Sequence, residues 1–369
     1  MVVPLYHVAV EPGVGSRVEK VLQTGRLAAG EYVLEFEDKL RSFVGNPLVL
    51  ATGEMSGSLT MCLYLAGVRP GDEVIASPLA CVAANAPVGN LFAKIRWCDC
   101  DPRSGSIDPE SLVRLINGKT KAILVSHWAG NPVDLKPVYE IAKASGVSVV
   151  EDASEAFGAM YEGSRIGNTG GDFVVFSFYP NRHMTTIEGA AIACRDPRIF
   201  EQCRWLRRYG IHQPTFRLSD GEINPESDIC DAGWNCYMNQ VAATVGIAQF
   251  ASMEDRLARW QDNGRFYDDA LRQISGVDVL SRPDRSASAY WVYTFLCDER
   301  DRLQRYLAER GIQASKVHVR NDIYSCFGQQ NCDLPGVTAF SKRSISIPCG
   351  WWVSESQREQ IVEQILGFH

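Results

Sequence analysis

Hydrophobic positions along the chain switch between two spacings. After an extended lead, apolar residues at helical intervals over 15–22 and 30–43 predict two helices. From residue 48 short apolar runs alternate with longer amphipathic ones. Strands are predicted at 48–51, 73–76, 95–98, 122–126 and 148–150, with helices between them at 58–66, 79–91, 109–116 and 136–144. Strands separated by helices of this length predict an α/β fold with a mainly parallel central sheet and helices on both faces. A further apolar strand from Phe173 and a small-residue strand ending at Ala193 read as a hairpin-like platform, its crest carrying Ser177, Asn181, Arg182 and His183. The stretch 241–272 predicts one long amphipathic helix leading into a smaller α+β domain, where strands at 291–297 and 344–347 bracket a helix at 302–310. The expected division is a large domain over 1–245 and a small C-terminal domain over 246–369.

Composition narrows the function classes. A chain of 369 residues with 46% hydrophobic content can bury two cores. A net charge of -7 with pI near 5.5 argues against nucleic-acid binding, because no basic run offers a phosphate-tracking surface. Arg204, Arg207 and Arg208 form the densest basic cluster, which reads as a solvated helix face. No apolar run reaches the roughly 18 residues that would span a membrane, and the first residues lack the pattern of an export signal. A cytoplasmic protein is therefore expected. The 12 cysteines, without regular spacing or a CxxC pair, read as reduced core residues, and no metal site is expected.

Three stretches carry candidate chemistry. Gly53 to Leu59 lies between a strand and a helix, so backbone N–H groups and Ser56 could face an anion at the helix's positive end. Helix capping by Ser56 or Ser58 explains the same residues. Val149 to Gly158 begins as an apolar strand and ends in acids, which places Asp152 at the carboxyl edge of the sheet, where open α/β folds bind ligands. Asp152 could equally cap the next element. The third stretch is the crest itself.

Phe173 to Ala193 resembles the Ser-Phe-x-x-x-Lys-x-x-Thr-x-Gly-Glu-Gly-Gly segment of the DegT family, the vitamin B6 dependent sugar aminotransferases. The family's Schiff-base lysine falls on Arg182, and Gly-Glu-Gly-Gly reads Ile187-Glu188-Gly189-Ala190. A guanidinium stays protonated and cannot condense with an aldehyde. The 53–59 stretch resembles the family's Gly-Thr-x-Ala-Leu phosphate loop, with Met55 where glycine is usual, and Glu-Asp-Ala-x-x-x-x-Gly matches 151–158. The likeness extends to Cys349-Gly-Trp-Trp352.

The resemblance implies a fold-type I homodimer with shared active sites, binding pyridoxal or pyridoxamine 5′-phosphate, a keto sugar nucleotide and an amino donor, glutamate or glutamine. It implies Asp152 at the pyridinium nitrogen, with Glu155 and Cys81 beside the cofactor and Ser56, Gly57 and Ser177 at its phosphate. Asn235 is expected to reach the neighbouring subunit's phosphate, or else to cap the helix that runs through Phe250. His318 and Arg320 fall in a loop that covers the substrate in relatives, although loop charges often only meet solvent. His183, the titratable base nearest Arg182 in sequence, is either a substitute catalyst or a supporting residue. Three readings follow: an aminotransferase altered at Arg182, a lysine-free pyridoxamine phosphate dependent sugar dehydratase, or a homologue that binds without turnover.

Overall fold

The computed structural model describes residues 2–328 and 332–368; His369, which ends the expected small domain, lies outside them. Two helices, α1 (Val14–Gln23) and α2 (Glu31–Val44), precede a seven-stranded sheet. Its strands in chain order are β1 (Val49–Thr52), β2 (Glu73–Ala76), β3 (Lys94–Trp97), β4 (Thr120–Ser126), β5 (Ser148–Asp152), β8 (Phe173–Ser177) and β9 (Ala190–Cys194). Two-residue strands β6 (Met160–Tyr161) and β7 (Ser164–Arg165) lie between β5 and β8 in the chain and pair with each other, and β6 also pairs with β11 (Ser286–Ala287).

The order across the large sheet is β1-β9-β8-β5-β4-β2-β3, with β9 antiparallel to both neighbours and the other pairs parallel. All strands but β9 therefore end at one edge. Their residues are nearly all buried, which is why they read as continuous apolar runs. This is the expected mainly parallel sheet, and the β8–β9 platform pairs Ser177 with Ala190.

Helices cover both faces. Alternate strand residues such as Leu50, Val150, Phe173 and Val175 pack beneath α3 (Met55–Leu65), α4 (Val82–Asn90) and α7 (Pro197–Leu206). Val49, Ala51, Val149, Val174 and Phe176 face α2, α5 (Pro109–Leu115), α6 (Leu135–Ser145) and α9 (Gln240–Gln249). On this second face Phe43 stacks on Phe157 at 4.6 Å, and Phe36 meets Phe178 edge-on at 5.5 Å. Each such pair adds about 1 kcal/mol beyond its buried area, so the underside of the β8–β9 platform is stiffly held.

Two expectations are corrected. The long helix over 241–272 is broken: α9 ends at Gln249, and α10 (Met253–Leu271) starts after a turn at residues 250–252. The cause lies in the pattern itself. Residues of α9 are small and apolar on nearly every side and insert against α1 and α2, whereas α10 has one apolar stripe and a charged face. The turn is pinned by Glu11, whose carboxylate accepts from Ser252 and, at 2.9 Å, from Arg256. The second correction concerns Arg207, which is no solvated residue. It is buried, with Nη1 donating to Glu37 Oε1 at 2.5 Å and to Ala51 O at 2.6 Å, and this pair ties α2 to α7 across β1.

Between α7 and α9 the chain makes an exposed excursion containing the one-turn α8 (Gln213–Phe216). A separate three-stranded sheet, β10 (Val277–Val279), β12 (Tyr293–Cys297) and β13 (Ser344–Ile347), packs with α10, α11 (Arg300–Glu309) and α13 (Glu355–Leu366) around Trp260, Tyr267, Tyr293 and Phe295. α12 (Pro335–Arg343) instead sends Val337 and Phe340 into the core beneath α3 and α4. Among the described residues, no helix is long and apolar enough to cross a membrane.

Candidate active site

Strand register decides which side chains meet. Thr52, Ala190, Ser177, Asp152 and Ser126 have the same parity as Leu50, Ile192, Val175, Val150 and Leu124, so all lie on the α3 and α4 face of the sheet. All five stand at the carboxyl edge, with Asp152 opposite both Ser126 and Val175. α3 and α4 begin above this edge and point their amino termini toward it. The sequence thus collects Asp152, Ser177, the Ser56–Gly57 turn and Cys81, the residue before α4, in one corner.

Asp152 is buried, and its Oδ1 accepts from Ser154 N at 3.0 Å. Burial pushes its carboxyl above the ordinary range against that hydrogen bond and the Arg182 charge, with Glu155 adding to the rise. A buried carboxylate under this tension would be relieved by a cationic partner. Burial likewise raises the Cys81 thiol, which stays neutral beside Asp152, Arg182 and Glu155.

Glu155 is the hub of a second set of contacts. Its Oε1 accepts from His318 Nε2 at 2.7 Å and lies 3.3 Å from Arg182 Nη1, while Oε2 accepts from Ala129 N at 2.8 Å. Burial pushes this carboxyl up, but His318, Arg182 and the Ala129 N–H outweigh it and hold it below the usual range. The Arg182 guanidinium also sits 4.2 Å from the centre of the Trp291 ring, whose Nε1 donates to Asn181 O at 2.5 Å. Tyr6 of the N-terminal lead stacks on Trp291 at 4.9 Å. Tyr6, Trp128 and Trp291 were not singled out by motif, because nothing local marks them. They come from the lead, from the loop after β4 and from the segment before β12.

Cys81, Ser126, Trp128, Asp152, Glu155 and His318 line a narrow cavity of about 10 Å³, room for about one water molecule. A larger hollow beside Tyr139, Lys143 and Arg195 lies at the opposite edge of the sheet, away from these groups. Arg320 is turned from the cavity, with Nε and Nη2 donating to Asp322 at 2.7 and 2.6 Å. Asn235 is exposed and bridges to Arg208, and the side chain that caps α9 belongs to Asn239, through Ala242 N at 2.8 Å.

His183 faces the other way from its neighbour. Fully buried against Trp260, it donates from Nε2 to Ala289 O at 3.0 Å, and burial pushes its pKa down to about 4. The turn that brings Arg182 N to Tyr179 O sends consecutive side chains to opposite sides. His183 therefore has no path to a ligand above Asp152. His127, whose Nε2 lies 3.0 Å from Glu151 Oε2, and His318, held by Glu155, line the cavity instead.

The corner suits a phosphorylated pyridine in part. Asp152 is placed for a ring cation, and the Ser177 hydroxyl and the first turn of α3 lie on the same face and edge. Two features oppose it. The carboxylate of Glu54 already accepts from Ser56 N, at 2.6 Å, and from Gly57 N, and among the described residues no amine stands beside Asp152, where the Arg182 guanidinium lies instead. Among solved structures, the sugar aminotransferase CalS13 from Micromonospora echinospora is similar over 100% of both chains, at 33% identity and a TM-score of 0.94. Curated relatives include a pleiotropic regulatory protein from Geobacillus stearothermophilus, 26% identical over 98% of this chain and 95% of its own. Another is the GDP-perosamine synthase of Escherichia coli O157:H7, 26% identical over 100% of this chain and 98% of its own. Structures of this fold at 21% identity have been solved in PLP and PMP forms. The model of the DegT/DnrJ/EryC1/StrS aminotransferase family matches residues 13–366, and the chain belongs to that family.

Proposed function

We propose that this member of the sugar aminotransferase family binds pyridoxal or pyridoxamine 5′-phosphate and a keto sugar nucleotide, with Arg182 standing where the family's Schiff-base lysine stands. The observation that carries the proposal is the buried Asp152 carboxylate at the sheet's carboxyl edge, sharing one face with Ser177 and the first turn of α3. When bound, the cofactor supplies an electron sink for proton shifts at the carbon that carries nitrogen. Asp152 would hold the ring cation, Ser177 the phosphate, and Cys81 would lie against the ring. His318, fixed by Glu155, would meet the substrate from the loop above.

Arg182 cannot serve as the proton carrier, because a guanidinium does not give up its proton in a protein, and this one is engaged by Glu155 and the Trp291 ring. General acid–base catalysis is worth about 10²- to 10⁴-fold, so turnover is expected to be reduced by about that factor. Arg182→Lys tests the reading. With glutamate and a 4-keto-6-deoxy sugar nucleotide, the variant should transfer nitrogen and should retain pyridoxal phosphate through dialysis after borohydride treatment. Cofactor bound without either gain would count against Arg182 as the altered position.

A second reading, binding without turnover, is favoured by Ile187, a β-branched residue held at φ 72 where glycine would sit without strain. It predicts that Arg182→Lys binds cofactor and still transfers nothing. The dehydratase reading relied on His183 as base, and the position of that ring gives it no support.

The proposed working unit is a homodimer in which Asn235 of each protomer reaches the other's phosphate. Leu27 and Leu34 before and on α2, and Ile223 and Ile229 on the excursion, are apolar and exposed on the single chain.

A further inference from the structure

We propose that Glu54 is a built-in competitor for the cofactor phosphate, so that this chain takes phosphorylated B6 forms as exchangeable ligands, each displacing the protein's own carboxylate. The inference rests on the proposed function, in that it takes the Ser56–Gly57 turn as the phosphate seat. Helix α3 offers N–H groups in its first turn that have no partner within the helix. Two of them are engaged: Glu54, in extended conformation before the helix, curls its side chain back so that one oxygen accepts from Ser56 N at 2.6 Å and the other from Gly57 N. A phosphate cannot use both donors while the carboxylate does.

The corner also carries surplus negative charge. Glu188 lies close enough that burial, together with the Glu54 charge, pushes its carboxyl above the ordinary range. Ser56 Oγ, a donor that phosphate would need, is turned to Ala83 O at 3.3 Å. Met55 is anchored beside the seat by Ser154 Oγ, which donates to its sulfur at 3.0 Å. The competitor is nevertheless easy to move. Glu54 is exposed, and among the described residues its carboxylate makes no hydrogen bond beyond these two N–H groups. A displaced carboxylate regains water at once. Arg182 offers no covalent tether to offset the competition, so both of the usual means of retaining the cofactor are weakened in the same chain.

Glu54→Ser separates the effects, because serine still caps a helix while removing the charge and freeing one donor. Dissociation constants of pyridoxamine phosphate and of pyridoxamine, which lacks the phosphate, are measured by equilibrium dialysis for the natural chain and the variant. The variant is expected to bind pyridoxamine phosphate at least about tenfold more tightly, with pyridoxamine changed by less than about twofold. Glu54→Gln, which keeps an oxygen acceptor and loses the charge, should move in the same direction and serves if the serine variant does not fold. Unchanged or weaker phosphate-form binding by a variant that melts normally overturns the inference while leaving the proposed function intact. Equal tightening of both ligands overturns it as well, because the gain would not involve the phosphate. If neither protein binds either ligand, the inference and the proposed function fall together.

Discussion

At Asp152, stability and binding are opposed. Burial raises its carboxyl, so in the ligand-free protein the folded state holds its proton to higher pH than the unfolded chain does. That difference has a definite sign. Stability from this group is greatest below the unfolded value and declines as pH rises through the interval up to the raised folded value. Asp152→Asn removes the penalty and keeps an oxygen for Ser154 N. Thermal melts at pH 7 should therefore show the variant melting about 2–4 °C higher than the natural chain. Dialysis should show that it no longer binds pyridoxamine phosphate, the cationic ring having lost its partner. Glu155 has the opposite sign. Its carboxyl is held low, so its contribution is full at neutral pH and fades as acid protonates it. Glu155→Gln leaves Arg182, with a side chain only 9% exposed, without its countercharge. Urea unfolding should register a loss of about 3 kcal/mol, largely recovered when Arg182→Met is added.

At the level of the element, the β8–β9 connection shows what sequence can and cannot reveal. The two strands, their pairing and the crest were legible because Phe173 to Ser177 and Ala190 to Cys194 are unbroken small or apolar runs. Asp152 was legible for a similar reason, as the polar end of an apolar strand. The direction of His183 was not, because it depends on one turn between Tyr179 and Arg182 and on a carbonyl 106 residues away. Glu54 escaped notice because an acid before a helix is ordinary, and only its folded-back side chain shows what it occupies. The break after α9 was hidden because a helix apolar on nearly every side joins the stripe of α10 without a visible change of register, and the turn between them is pinned by Glu11, 245 residues from Arg256. In the same connection, Ile187 is 59% exposed at φ 72, held by its N–H to Thr185 Oγ1 at 3.0 Å. Such a conformation costs a β-branched residue about 1–3 kcal/mol, whereas glycine adopts it freely at some cost in unfolded-state entropy. Ile187→Gly should therefore raise stability by about 1 kcal/mol in urea titrations. A loss of stability would mean that the exposed side chain is doing something in the assembled protein that outweighs its strain.

For the whole molecule, the question is which chain completes each site. Asn235 is exposed beside Arg208, where the excursion returns to the body of its own chain, while Asp152 and Ser177 are buried deep at the sheet edge. If Asn235 serves the neighbouring protomer, the two kinds of residue can be damaged on different chains and recombined. Asp152→Asn and Asn235→Ala proteins, each unable to bind pyridoxamine phosphate tightly as a homodimer, are mixed, dissociated and allowed to reassociate. Random pairing makes about half of the dimers mixed, and each mixed dimer has one site with both residues natural and one with neither. Tight binding should then return at about a quarter of the sites of the natural protein. Were Asn235 to act within its own chain, every site in the mixture would keep one defect and no tight binding would return. The outcome depends on counting sites rather than on the size of either effect, so it distinguishes a shared site from a self-contained one even where the affinity lost by each variant is modest.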